Sequence, residues 1–200
     1  MLKSEQRKIF EKLKNFPDFY LIGGTALALQ LGHRISVDFD LASSKKIPDS
    51  FYQKVKKIFK EFKITLEIKS SEQLTFLINK SSLTFLYFPF PPIKKLKKFK
   101  GVKILSKEEI GADKAYVLGR RAKFRDYVDF YFLIKSGVSL NKIIKLAEKK
   151  YKDEFNSRLF LEQLIYLEDV EEEKIYFLKE KVSKKELQNF FEKEIKKIKL

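Results

Sequence analysis

The 200-residue chain contains no cysteine, no tryptophan and a single histidine, His33. The missing cysteine excludes disulfides, thiolate zinc sites and a cysteine nucleophile, and the single histidine excludes any site that needs two imidazoles. Long apolar segments are also missing. The longest stretch without a charged side chain, residues 19–33, is too short and too interrupted by glycine to span a bilayer, which takes about 20 apolar residues. Since the N-terminus lacks the apolar core of a signal peptide, we expect a soluble cytoplasmic protein with no membrane partner.

Acidic side chains are the scarcer charge, 27 against 43 lysines and arginines, which gives a formal net charge of +16. A lysine excess alone is weak evidence for a nucleic-acid partner. Six of the cations are arginines, whose planar guanidinium is suited to phosphate. Four of these arginines fall near the motifs described below: Arg34, Arg120, Arg121 and Arg125. Because 44% of the residues are hydrophobic, the chain can also bury a core.

The hydrophobic pattern changes near residue 104 from mixed strand and helix to helix alone. Strands are predicted over 19–22, 35–41, 64–68, 74–78 and 83–88, with helices from Ser4, over 25–31 and after Pro48. Residues 93–103 are predicted as a basic connector. Helices then follow from a capping box at Ser106, over 124–135, from Ser139, over 153–169 and from Ser183. We expect an α+β fold, with a mixed sheet and flanking helices in residues 1–104 and a helical half in residues 105–200.

Gly23, Gly24 and Thr25 stand between a predicted strand and a predicted helix. Glycines let a phosphate approach the backbone, and the first turn of a helix offers unpaired N–H groups and the positive end of its dipole. The same residues also fit an ordinary tight turn. The motif therefore indicates a phosphate cradle only in combination with other features.

Asp38 and Asp40 are two residues apart on the predicted strand 35–41, so their carboxylates and Ser36 share one face, the two acids about 7 Å apart along the chain. Two like charges this close repel unless something neutralises them. A divalent cation does so, and hard oxygen ligands select Mg²⁺. The alternative is a solvated polar strand face. Because the opposite face is apolar, the polar face is expected to meet the Gly-Gly turn.

A cationic helix is the third feature. On one unbroken helix Lys114, Arg121 and Arg125 would lie within about 20° of one direction, with Asp129 about 60° and Asp126 about 120° away. The alternative is a solvated helix with an ion pair between Arg125 and Asp129. Together the three features supply a phosphate cradle, a carboxylate pair for a metal and a set of cations, which are the parts that nucleotidyl transfer needs.

Two long segments carry a resemblance to a known family. The run FYLIGGTALALQLGHRISVDFDLA resembles the first motif of the AbiEii/AbiGii toxin family, within the DNA polymerase β-like nucleotidyltransferase superfamily, and EIGADKAYVLGRRAKFRDYVDFYFL is similar to its later motifs. The matching residues are Gly23, Gly24, Thr25, Arg34, Ser36, Asp38, Asp40, Lys114, Arg121, Arg125, Asp126 and Asp129. Since FLEQLIYLEDVE resembles the family's last helices, the likeness covers nearly the whole chain.

The resemblance implies Mg²⁺-dependent transfer of a nucleotide from an NTP to an acceptor. Members often serve as toxins of toxin–antitoxin or abortive-infection systems, and some relatives modify the acceptor end of tRNA. Asp38 and Asp40 are the implied metal ligands, Lys114 contacts the triphosphate, and Asp126 or Asp129 orients the acceptor or Lys114. Nucleotide-binding roles are implied for Gly23, Gly24, Thr25, Arg34, Ser36, Arg121 and Arg125. We expect the site in the cleft between the two halves.

One departure concerns a third carboxylate, which a neighbouring strand usually supplies in the superfamily. The candidate strand 83–88 has no acid, and Glu67 on another strand is a poor substitute. Either Asp126 or Asp129 takes over part of this role, or activity is weak or lost. The alternative function is therefore a catalytically inert nucleotide- or RNA-binding protein on the same fold.

The predicted connector is rich in lysine and lacks acids. A long acceptor would pass here, and each phosphate that a lysine neutralises adds affinity by releasing counterions. We therefore expect an RNA acceptor, tRNA first, that contacts Lys94, Lys95, Lys97 and Lys98. The alternative is a solvated lysine-rich loop, and a cognate antitoxin is a further expected partner.

Overall fold

The computed structural model describes residues 2–118, 120–121 and 123–198. The chain forms two compact units, one of residues 1–26 and 36–106 and the other of residues 27–35 and 107–200. Residues 27–35, which belong to the second unit, thus interrupt the first unit in sequence. A single boundary at residue 104 does not describe this division.

The first unit contains a seven-stranded mixed sheet in the order β3-β4-β5-β2-β1-β7-β6. Strands β2 and β5 are parallel, as are β1 and β7, and the other neighbours are antiparallel. The elements are α1 (Ser4–Lys12), β1 (Tyr20–Ile22), the start of α2 (Gly23–Leu31), β2 (Phe39–Ser43), α3 (Phe51–Ile58), β3 (Ile64–Lys69), β4 (Gln73–Ile78), β5 (Ser81–Tyr87), β6 (Lys97–Phe99) and β7 (Val102–Ile104). The expected mixed sheet with flanking helices is confirmed.

Phenylalanines form the core on one face of this sheet. Phe85 of β5 lies 4.8 Å from Phe16 and 4.9 Å from Phe51 of α3, measured between ring centroids. Side chains alternate across a strand, and Asp40 of β2 is paired with Thr84 of β5. Both therefore lie on the opposite face, so the sheet presents its polar residues away from the aromatic core.

Strand β2 begins at Phe39, so the predicted strand 35–41 is wrong at its start. Its partner β1 ends at Ile22, opposite Asp40, because the chain turns into α2 at Gly23. Residues 35–38 consequently have no partner in β1. The burial alternation fails there too, since Val37 is 39% exposed whereas Ser36 is buried.

The predicted basic connector is also wrong, because residues 97–104 form a hairpin of the sheet. The hairpin turns at Lys100 and Gly101, which both have positive φ angles, and its second strand pairs in parallel with β1. Buried Val102 and Ile104 attach it to the core. Its lysine-rich composition gives little sign of strand structure.

The second unit is helical, as expected, with α4 (Lys107–Leu118), α5 (Phe124–Lys135), α6 (Leu140–Tyr151), α7 (Ser157–Ile165) and α8 (Lys184–Ile195) following the end of α2. Helix α4 packs against α5, α6 and α7, and α8 packs against α5 and α7. Gly111 permits this, because a Cβ there would lie 2.6 Å from Leu133 and 3.2 Å from Ile143. Helix α7 is shorter than the predicted 153–169 because Asn156 caps it.

Among the helices of the described ranges, none has the combination of length and apolarity required to cross a membrane.

Candidate active site

The turn from β1 into α2 brings glycine backbone next to a carboxylate. Gly23 has φ +68°, a left-handed conformation that favours glycine. A Cβ at this position would lie 3.2 Å from Oδ2 of Asp40. The N-terminal backbone of α2 at Gly23, Gly24 and Thr25 therefore adjoins the acidic end of β2, in the region where helix N–H groups have no partner within the helix.

Thr25 fixes the segment that precedes β2. Its hydroxyl is 2.7 Å from Oγ of Ser36 and donates a hydrogen bond to the carbonyl oxygen of Asp38. Thr25 is 2% exposed and Ser36 is 9% exposed. Both hydroxyls thus hold the chain on its way to the two aspartates, rather than standing open to solvent.

The two aspartates are half-buried and differ in their surroundings. Oδ1 of Asp38 accepts a hydrogen bond of 3.1 Å from the backbone N–H of Ser82. Asp40 lies opposite Thr84 of the parallel strand β5. The hydroxyl of Thr84 is 3.4 Å from the hydroxyl of Thr75. The strand expected to lack a third acid is therefore the direct neighbour of β2, and it places a threonine beside Asp40.

Oxygen atoms at this edge fit a Mg²⁺ ion carried with a nucleotide. In the part of the chain that the structure describes, no three histidine, cysteine or acidic side chains come close enough to hold a metal. Mg²⁺ commonly takes one or two carboxylates, several waters and the phosphates of its substrate. Asp38 and Asp40 can provide the two carboxylates, and the small Gly23 leaves room next to Asp40.

A second charged constellation lies within the second unit. The segment after α2 turns at Gly32, with φ +64°, and then runs beside residues 176–178. Ile35 donates its N–H to the carbonyl of Tyr176 over 2.9 Å, and Leu178 donates to the carbonyl of His33 over 2.8 Å. This pairing holds His33 and Arg34 in place.

Asp129 of α5 is the centre of this constellation and is fully buried. Its Oδ1 is 2.7 Å from Nε2 of His33 and 2.7 Å from Nε of Arg34. Its Oδ2 is 2.9 Å from Nη2 of Arg34 and 2.7 Å from Nζ of Lys114. A carboxylate has about four lone-pair sites, so Asp129 cannot take another proton or ligand without losing a partner.

Lys114 of α4 bridges two carboxylates. Its Nζ lies 2.6 Å from Oδ1 of Asp126 and 2.7 Å from Oδ2 of Asp129, while its residue is 8% exposed. An ammonium has three N–H donors, so one remains for a ligand. Oδ2 of Asp126 is buried and has no hydrogen-bond partner among the described residues. Among the described residues, Lys114 therefore keeps one donor and Asp126 keeps one acceptor.

The pKa values in this cluster move in the directions that the contacts dictate. Burial alone would raise the pKa of the Asp129 carboxyl, but Lys114 and Arg34 hold it well below its usual range. Burial alone would lower the pKa of Lys114, but Asp126 and Asp129 raise it. Burial lowers the pKa of His33 despite its bond to Asp129. Asp129 is thus a carboxylate between the cations Lys114 and Arg34, and His33 is a neutral imidazole.

Contrary to the prediction, Lys114 and Arg125 do not lie on one unbroken helix. Helix α4 ends at Leu118, and α5 begins at Phe124. The ion pairs of the described residues do not include the alternative pair of Arg125 with Asp129 either. Arg125 instead binds Glu173 through Nε at 2.9 Å and a terminal nitrogen at 2.7 Å, and its backbone N–H donates to the same carboxylate.

The remaining predicted cations differ from Lys114 in their environment. Arg121 is exposed between α4 and α5. Arg34 is 5% exposed, and its three nitrogens face Asp129 and the carbonyl of Ile35. Its guanidinium is therefore engaged within the second unit, and a nucleotide-binding role for Arg34 and Arg121 stays a prediction.

His33 is a residue of this cluster for which the sequence predicts no role. It is 0% exposed, and its partner Asp129 is 96 residues away in the sequence. A single histidine outside any periodic pattern gave no signal for this contact. Its position next to Arg34, which belongs to the quoted motif, is the one hint that the sequence offers.

Comparisons with known proteins bear on the family and the fold of this chain. The chain matches the family described as "Nucleotidyl transferase AbiEii toxin, Type IV TA system" over residues 8–94 and 63–199. It is 32% identical over 178 residues to an uncharacterized protein of Aquifex aeolicus (strain VF5), with 86% of both proteins covered.

Solved structures with the same fold are more distant in sequence. MenT4, a nucleotidyltransferase toxin of Mycobacterium tuberculosis H37Rv, is 15% identical with a TM-score of 0.61, covering 96% of this chain and 84% of that one. JHP933 of Helicobacter pylori is 22% identical with a TM-score of 0.52, covering 82% and 75%. The antibiotic-resistance factor ANT(2'')-Ia is 14% identical with a TM-score of 0.55, covering 74% and 92%.

Proposed function

Because the chain belongs to the AbiEii nucleotidyl transferase toxin family of type IV toxin–antitoxin systems and is thus a nucleotidyltransferase, we propose that it transfers a nucleotide from an NTP to RNA. The acceptor oxygen forms a bond to the α-phosphorus, and the bond from the α-phosphorus to pyrophosphate breaks. The observation that carries this proposal is the glycine turn of α2 beside Asp40. It brings the first turn of a helix, whose N–H groups have no partner within the helix, next to a carboxylate.

Asp38 and Asp40 are the residues that would hold Mg²⁺, with the metal's other positions left to water and phosphate. The bound ion would supply charge compensation for the triphosphate. Gly23 and Gly24 would bring backbone N–H groups to a phosphate. Thr25 and Ser36 act by fixing the segment that carries the aspartates, since their hydroxyls already bond to one another.

Lys114 is the cation that we assign to the reaction. Its third N–H is available to a phosphate oxygen, and negative charge grows on the leaving pyrophosphate in the transition state. The free oxygen of Asp126 can accept a proton or hydrogen bond from the acceptor hydroxyl. Asp129 is saturated, so we assign it to orienting Lys114.

RNA as acceptor is supported by the hairpin β6–β7. Lys98 and Lys103 are directly opposite each other in its antiparallel register, and like charges in that position repel. Lys95, Lys97 and Lys98 are exposed. A polyanion would relieve this repulsion, and tRNA is the first acceptor to test. The toxin family further implies a cognate antitoxin, and we place the reaction in the cytoplasm, where NTP and tRNA are present.

The test is incorporation of label from each of the four α-³²P-NTPs into total RNA with Mg²⁺. We expect Asp38→Ala and Asp40→Ala to remove incorporation while the melting temperature stays unchanged. The matched control is Glu67→Ala, which removes an exposed carboxylate from the edge strand β3 of the same sheet. Full activity in either aspartate variant would overturn the metal assignment.

Absence of incorporation in the wild type with every NTP would favour the alternative, an inert nucleotide- or RNA-binding protein. The observation behind this alternative is Thr84, which stands beside Asp40 where an acid was expected.

A further inference from the structure

We infer that His33 is a positioning residue for nucleotide transfer, fixing the Asp129 carboxylate that in turn holds Lys114. The inference rests on the proposed function of Lys114 and adds to it the residue that keeps its support in place. His33 touches neither Lys114 nor any residue assigned to the metal in the contacts described above. Its effect must therefore pass through Asp129.

The contact is directional. His33 Nε2 lies 2.7 Å from Oδ1 of Asp129, and both side chains are 0% exposed. The other ring nitrogen, Nδ1, is buried without a hydrogen-bond partner among the described residues. A carboxylate accepts hydrogen bonds, so the proton of the neutral ring belongs on Nε2. The imidazole is thus a one-sided donor aimed at Asp129.

His33 is held at both its backbone and its ring. Its backbone carbonyl accepts the N–H of Leu178 over 2.8 Å, and its ring lies 5.1 Å from the ring of Phe132 on α5. Since Asp129 is one helical turn from Phe132 on the same helix, the ring is packed against the element whose carboxylate it fixes. A donor with so little freedom orients its acceptor.

Asp129 requires this fixing because its two oxygens serve different partners. Oδ1 takes His33 and Nε of Arg34, whereas Oδ2 takes Lys114 and the terminal nitrogen of Arg34. Rotation of the carboxylate about χ2 would move Oδ2 away from Lys114. Arg34, which bonds both oxygens, and Nε2 of His33 together resist this rotation, and His33 is the neutral donor of the two. If the carboxylate turned, Asp126 alone would set the direction of the ammonium.

Two substitutions separate this role from packing. His33→Gln places an amide N–H near the position of Nε2 and keeps the donor. His33→Phe keeps an aromatic ring against Phe132 and removes the donor. We expect His33→Phe to lower kcat about 10- to 100-fold, the usual effect of losing a supporting hydrogen bond around a site, with KM for the NTP within about twofold. His33→Gln should stay within about threefold of the wild type.

A second readout does not depend on activity. Lysine acetylation followed by mass spectrometry reports how accessible each ammonium is. In the wild type and in His33→Gln, Lys114 should be protected, and in His33→Phe it should become reactive. Lys150 is the internal control, because it is 7% exposed in a separate cluster with Asp113 and Glu109. Its protection should be the same in all three proteins.

The single histidine makes a third measurement direct, since long-range ¹H–¹⁵N spectra contain only its ring. We expect the neutral Nε2–H tautomer in the wild type and its loss in Asp129→Asn. Equal kcat in the wild type and His33→Phe, or equal Lys114 protection in the two, would overturn the inference. A wild type that transfers no nucleotide overturns the proposed function instead, while the acetylation contrast still decides the role of His33.

Discussion

Neutralising Asp129 should destabilise the protein more than any other single change at the site. In Asp129→Asn, Arg34 and Lys114 keep their buried charges but lose the carboxylate that both contact. The new amide also turns two N–H donors towards groups that are themselves donors. Removing one partner of a buried ion pair costs about 3–5 kcal/mol, a large part of the stability of about 5–15 kcal/mol of a typical protein.

For a protein of this size each kcal/mol shifts the melting temperature by about 2–4 °C, so we expect a fall of about 6–20 °C. Calorimetry and urea unfolding measure it. Asp126→Asn is the comparison within the site and should lower the stability less. Of the two cations Asp126 contacts only Lys114, and one of its oxygens has no hydrogen-bond partner among the described residues. A melting temperature for Asp129→Asn within about 2 °C of the wild type would refute the reasoning.

The matched control for a purely structural effect is Asp113→Asn. Asp113 accepts from Lys150 at 2.6 Å and from the hydroxyl of Tyr151 at 2.7 Å in the same helical unit. Both variants should lose stability. At a temperature where both are folded, Asp129→Asn alone should lose transfer activity.

Three further outcomes follow from the same contacts. The lowered pKa of Asp129 adds stability that is complete above its unfolded value of 3.8 and is lost as the pH falls through the folded value, so below about pH 4 wild-type stability in urea should fall more steeply than that of Asp129→Asn. Glu173→Gln should lower KM for the NTP about fivefold, because it frees Arg125 from a half-exposed ion pair of about 1 kcal/mol. Replacing Lys97 and Lys98 by Gln should reduce the magnitude of the log–log salt slope for single-stranded RNA by about 1.4.

The following controls and results would test these three predictions. Parallel acid unfolding of wild type and Asp129→Asn would contradict the first. Glu180→Gln breaks a similar pair with Lys135 near Glu173 in the chain and should leave KM unchanged; a higher KM in Glu173→Gln would make Arg125 structural. Three exposed lysines of α6 are the control for RNA binding, and equal salt slopes in all variants would make the hairpin a solvated surface. Those lysines are Lys142, Lys145 and Lys149.

Local signals predicted much of the fold. Ser183 and Glu186 form the predicted capping box, and α5 covers the predicted residues 124–135. Strands β6 and β7 were not predicted, because β7 joins the sheet through a partner distant in sequence: Ile104 pairs in parallel with Leu21. The start of β2 was wrong for a similar reason: Thr25 captures the segment before it through hydrogen bonds that an alternating pattern does not reveal.

The site was predictable where residues close in sequence carry it and unpredictable where distant ones meet. The sequence placed Asp40 near the glycine turn, because one short helix separates them. It had no means of joining His33 to Asp129. The sequence also predicted one helix for Lys114 and Arg125. In the structure Lys114 pairs with Asp126, and Arg125 pairs with Glu173.

The central claim is that this chain transfers a nucleotide and releases pyrophosphate. Parallel reactions with α-³²P- and γ-³²P-labelled NTP, Mg²⁺ and tRNA test it most directly. The account predicts label in the RNA from the α position alone, with the γ label in pyrophosphate and neither product in Asp40→Ala. Label from the γ position in the acceptor, or equal α-label transfer by Asp40→Ala, would contradict it.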